Sequence, residues 1–143
     1  GDVHHSLNDH KKSDLAYTKS LEYNPDNVFV LNNYSYYLAL RNENLEQAYE
    51  MIKKCDKLTQ ESPNASFLDT YAWVLYKMQK YKEAKDQINK AILLNTNSAT
   101  LFEHSGDILY ELGEVHDAII AWRKALNLDP DNPSIQQKIR QNE

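Results

Sequence analysis

Four short stretches of this chain write the same boundary four times: PDNVFVL from Pro25, SPNASFL from Ser62, TNSATLF from Thr96 and PDNPSIQ from Pro130, spaced by 37, 34 and 34 residues. Each reads as the end of one helix followed by the cap of the next. Asn27, Asn64, Ser98 and Asn132 supply side-chain oxygens to the free N–H groups of a following first turn, and Pro133 suits a first helical position where no N–H is needed. A boundary recurring every 34 residues or so predicts a supersecondary unit that is stacked rather than a single unrepeated globule.

The interior of each unit supports this reading through a second set of columns. A small residue recurs in the first helix as Gly1, Ser35, Ala72 and Gly106, and another in the second helix as Ser13, Ala48, Ala84 and Ala118. Small side chains let two helix backbones approach closely where they cross. A large residue then recurs as Tyr17, Ile52, Ile88 and Trp122, followed three positions later by Ser20, Cys55, Ala91 and Ala125, which is the apolar stripe of an amphipathic helix. Cys55 stands in a column of small residues and reads as a buried alanine substitute, not a reactive thiol.

These columns resemble the tetratricopeptide repeat. In the last copy the pattern reads Phe102, Ser105–Gly106, Leu109, Gly113, Ala118, Trp122, Ala125 and Pro130; in the third it reads Leu68, Tyr71–Ala72, Leu75, Ala84, Ile88 and Ala91, with Thr96 in place of proline. The resemblance implies an all-α solenoid of antiparallel helix pairs wound as a right-handed superhelix. It divides the chain into a partial repeat at 1–27, repeats at 28–64, 65–98 and 99–132, and a capping helix at 133–143 formed around Ile135 and Ile139. The second copy carries one extra residue within Arg41–Asn44 and two near Gln60–Asn64, which predicts slightly longer helices there. The first copy begins at Gly1, mid-helix, and is expected to turn near Asn8–Asp9; such a start reads as a piece of a longer protein. Val3, Leu7, Leu15 and Tyr17 are then apolar and unpartnered, so this end is expected either to fray or to self-associate.

Composition narrows function by exclusion. A formal charge of −5 without a basic cluster argues against a nucleic-acid binder, and no apolar run approaches the roughly 18 residues of a membrane span. One cysteine among 143 residues allows no intrachain disulfide and no cysteine metal quartet. His4 and His5 are adjacent and point apart on a helix, with His10 beyond the expected turn, so they read as surface histidines. Asp129–Ser134 lacks the glycine and distal glutamate of a calcium loop. No nucleophile stands beside a base and no glycine loop cradles phosphate, so the chain reads as non-catalytic, with no cofactor and no metal.

What remains is a binding surface. The family resemblance implies that one side of each first helix lines a concave groove, and in this register that side carries Asn32, Asn33 and Tyr36 in the second copy. The third copy places Asp69, Thr70, Trp73 and Tyr76 there, and the fourth places Glu103, His104, Asp107 and Tyr110. Trp73 reads equally as a half-core wedge between neighbouring helices. The groove is therefore expected to be aromatic and acidic, with Lys77 alone opposing the acids, and to bind a basic or aromatic segment of another protein. The chaperone-tail subtype of the family clamps a carboxylate with basic residues that are missing here. A structural or assembly role in a larger protein is the alternative. The wording LNNYSYYLALRNENLEQA resembles the tail of bacterial multi-repeat proteins, many of them exported or lipid-anchored in the cell envelope; that resemblance points to the envelope and leaves the cytoplasm open.

Overall fold

The computed structural model describes residues 2–143, with side chains from residue 9 onward. Eight helices and no strand occur among the described residues: α1 (Asp2–Tyr23), α2 (Val28–Leu40), α3 (Leu45–Leu58), α4 (Ala65–Lys77), α5 (Tyr81–Leu94), α6 (Ala99–Glu111), α7 (Val115–Leu128) and α8 (Pro133–Asn142). Short turns fold α2 on α3, α4 on α5 and α6 on α7 as antiparallel pairs. Each pair also packs on the next, and the first helices α2, α4 and α6 contact one another directly.

The caps form where the sequence offers them. Asn27 accepts from the Val30 N–H, Asn64 from Ser66 and Phe67, Ser98 from Leu101, and Asn132 from Ser134 and Ile135. Each first helix ends with a residue of positive φ, Asn42, Gln79 or Gly113, whose successor donates back five residues, as Lys80 does to the Leu75 carbonyl at 2.8 Å. That left-handed residue stops the helix and reverses the chain.

The crossing columns are the core. Ser35, Ala48, Ile52, Cys55, Ala72, Ala84, Ile88, Ala91, Ala118 and Ala125 are all completely buried. At Cys55, burial, with Asp56 as a lesser cause, pushes the thiol up to about 11. α8 packs on α7, burying Ile135 and Ile139 against Ala118, Trp122 and Ala125.

Two expectations are corrected. The extra residues of the second copy lengthen turns, not helices: α2 and α3 have 13 and 14 residues, as do α4 and α5. The α2–α3 turn takes residues 41–44, where 78–80 suffice in the next pair, and absorbs the insertion with a second left-handed residue, Asn44. Asparagine tolerates that conformation better than most residues, so a turn is the cheaper place for the insertion. Similarly, residues 59–64 join α3 to α4, against 95–98 between α5 and α6.

The second correction concerns Asn8–Asp9, which lie within the unbroken helix α1. No glycine or proline occurs between residues 2 and 23 to stop the helix. Ser13 is exposed and Ser20 and Tyr17 are half-buried, so this end lacks the crossing seen in later copies. Tyr17 instead stacks on Tyr34 and Tyr37, with ring centroids 5.2 and 6.3 Å away. Gly1 lies outside the described residues, and so do the side chains of Val3, His4, His5 and Leu7.

Candidate partner-binding face

The row α2, α4, α6 and α8 presents one face, and its chemistry is organised by contacts between helices. At its centre, the His104 ring lies on Trp73, centroids 4.2 Å apart and planes 24° from parallel. Its Nδ1 meets Asp69 Oδ1 at 2.7 Å, so α6 is tied to α4 by a stack and an ion-pair geometry at once. Trp73 stacks in turn on Tyr76 at 4.7 Å, and the Lys77 ammonium stands 5.6 Å from the Trp73 ring. Half-buried Trp73 thus wedges between first helices, and its indole N–H is buried without a hydrogen-bond partner. Burial raises the Tyr36 phenol, with the nearby Asp69 charge adding to it.

Toward the C-terminal end the acids are bridged. Lys138 Nζ lies 2.8 Å from Glu103 Oε2 and 2.9 Å from Asp107 Oδ1, and Asp107 Oδ1 also accepts the Trp122 indole N–H at 3.1 Å. Burial raises the Asp107 carboxyl despite the opposing pull of Lys138 and Trp122. For Lys138 the balance is reversed: burial works against the charge, but hydrogen bonds and attraction from both carboxylates hold the ammonium above the ordinary lysine range. Tyr76 is pushed up to about 12 by burial, then by the charges of Asp107 and Glu111. Tyr110 is 43% exposed and its ring lies 5.9 Å from that of Trp122.

The expected residues therefore divide. Asp69, Trp73, Tyr76, Glu103, His104, Asp107 and Tyr110 are brought together on this face, with Tyr36 and the exposed Asn33 beside them on α2. Asn32 and Thr70 are buried, 7% and 4% exposed. Thr70 turns its hydroxyl to the Ser66 carbonyl, and Asn32 donates to Asn33 Oδ1 while its own Oδ1 is buried without a hydrogen-bond partner, so both side chains sit beneath the surface and not on it. The expectation that Lys77 alone opposes the acids is also corrected, because Lys138 bridges two of them. That lysine was legible by register. Counting from the four boundaries, it falls in the column of Asn33, Thr70 and His104, and Gln141 falls in that of Tyr36, Trp73 and Asp107.

Models described as tetratricopeptide repeat match residues 1–27 and 65–98, and one described as TPR repeat matches 106–139, together well over half of the chain. The chain belongs to the tetratricopeptide repeat family. The TPR repeat-containing protein MJ1428 of Methanocaldococcus jannaschii is 33% identical over 101 residues, 64% of this chain and 18% of that protein. The type IV pilus assembly protein PilF of Pseudomonas aeruginosa is 28% identical over 101 residues, 71% of this chain and 40% of its own length. The chain thus spans less than half the length of the curated relatives it matches. Among solved structures, MamA superimposes with a TM-score of 0.79 at 25% identity, over 97% of this chain and 80% of that one. The first TPR of Spaghetti (RPAP3), bound to the HSP90 peptide SRMEEVD, gives 0.72 at 18% identity over 80% of this chain and 88% of that one, a likeness of fold alone. No helix of the described residues is long and apolar enough to cross a membrane.

Proposed function

We propose that this TPR chain is a non-catalytic protein-interaction scaffold that holds a peptide or helix of a partner protein across α2, α4, α6 and α8. The observation that carries this is the aromatic strip of Tyr36, Trp73, Tyr76 and Tyr110, none fully buried, of which Trp73 and Tyr76 also pack against the core from this face. Rigid rings with polar tips give contact area at little entropic cost. The partner segment is basic or aromatic. Asp69, Glu103 and Asp107 place carboxylates on this face, which disfavours an acidic segment, and Lys138 offsets only part of that charge. A peptide array probed with wild type and a Tyr76→Ala/Tyr110→Ala variant tests the reading: hits rich in Lys, Arg or aromatic residues and lost in the variant support it, whereas acidic hits, or hits indifferent to the variant, overturn it.

A second reading, self-association or an assembly role, draws on the α1 edge. There α1 packs on α2 less extensively than α3 does, leaving a cleft of about 460 Å³ lined by His10, Tyr17, Tyr37 and Leu40. Leu15 beside it is 56% exposed. Light scattering showing a concentration-dependent dimer that a Leu15→Glu/Leu40→Glu variant abolishes favours this role; a monomer at all concentrations removes it.

A further inference from the structure

An open cavity of about 280 Å³ lies where α4, α6, α7 and α8 meet, lined by Tyr76, Tyr110, Trp122, Asp107, Lys138 and Gln141. Aromatic rings from three different helices, α4, α6 and α7, thus surround the Asp107 carboxylate of α6. Ring faces attract cations and a carboxylate fixes them, so such walls suit an ammonium or guanidinium and suit an anion badly. A cation already stands there. Lys138 reaches Asp107 and Glu103 together from a helix whose neighbouring Ile139, and Ile135 one turn earlier, are buried in the core. α8 is therefore anchored, while the half-exposed lysine side chain can turn away on its own flexible stem.

Resting on the reading of this face as a peptide-binding surface, the geometry points to an arginine pocket: the site takes the guanidinium of a partner's arginine, and Lys138 is its built-in competitor. A guanidinium spreads five donors in a plane, so it can address Glu103 and Asp107 together and stack on a ring, which a single ammonium cannot do as well. Lys138 competes at the high effective concentration of a tethered group, so it raises the threshold for entry and rejects segments without a well-placed arginine.

The Trp122 indole N–H, hydrogen-bonded to Asp107, is a local reporter. Titrating Nα-acetyl-arginine amide into the ¹⁵N-labelled chain should move the Trp122 indole resonance saturably, with a midpoint roughly tenfold lower in Lys138→Met than in wild type once the tethered competitor is gone. The neutral isostere Nα-acetyl-citrulline amide should leave it in place, and Asp107→Asn should abolish the response. Lys138→Gln replaces Lys138→Met if the latter loses its dispersed amide spectrum. An equal response to the citrulline compound, equal midpoints with and without Lys138, or no saturable shift in a folded Lys138 variant overturns the pocket. If the probe fails while array peptides still bind through Tyr36 and Trp73, the pocket falls and the scaffold reading stands.

Discussion

Gly106 and Trp122 share one space: a Cβ on Gly106 would lie 2.3 Å from Cδ1 and Nε1 of the Trp122 ring. The two preceding repeats solve the same crossing with Ala72 against Ile88 and Ser35 against Ile52. A larger residue on the second helix thus demands a smaller one on the first. Gly106→Ala should cost about 1–3 kcal/mol by overpacking, outweighing the helix preference for alanine. Adding Trp122→Ile should make the double variant more stable than the sum of the single effects by at least about 1 kcal/mol. Urea denaturation of the four chains checks this, and additive losses contradict it.

Gln79 and Gly113 terminate equivalent helices with φ of 64° and 82°. Glutamine is strained there and its side chain is exposed, and nothing lies within 4 Å of a Cβ placed on Gly113, so backbone conformation dominates both substitutions. Gln79→Gly should raise stability by up to about 1 kcal/mol, because the strain relieved, about 1–2 kcal/mol, exceeds the added freedom of the unfolded chain. Gly113→Ala should cost about 1 kcal/mol by the reverse argument. Thermal midpoints that move in the same direction for both contradict the assignment.

Alkaline pH should weaken the fold once it passes the ordinary thiol and phenol values. Cys55 is raised from 9.0 to about 11, and Tyr71 and Tyr76 from 10.0 to about 12, in each case chiefly by burial. Each group holds its proton more tightly in the folded chain. Its contribution is complete below the ordinary value and is lost as pH rises through the folded one. The urea midpoint should therefore fall between pH 9 and 12, and Cys55→Ala should flatten the part between 9 and 11. A midpoint level across that range, or one that rises, contradicts the burial of these protons.

The period, the caps and the crossing columns were legible because each rests on a local rule repeated several times: a side-chain oxygen before a first turn, a small residue where backbones meet. The turn expected at Asn8–Asp9 failed for the complementary reason, since a single degenerate copy without glycine or proline has no local stop. The insertion in the second copy was seen but misassigned, because the left-handed tolerance of Asn42 and Asn44 shows only in backbone angles. On the candidate binding face, register supplied which columns share a side of the first helices but not their pairing. The bridge from Lys138 to Glu103 and Asp107 spans more than 30 residues, and the burial of Asn32 and Thr70 depends on how closely neighbouring first helices approach.

The central claim is that partners bind on the aromatic face of the first helices and not on the outer helices. The most direct measurement is calorimetric titration of the tightest array peptide into wild type, Tyr76→Ala/Tyr110→Ala, and Lys82→Ala/Lys90→Ala on the exposed side of α5, each first confirmed folded by its melting curve. The account predicts at least about a tenfold loss of affinity, near 1.4 kcal/mol, for the tyrosine pair and no change for the lysine pair. Equal losses, or a loss confined to the lysine pair, would contradict it.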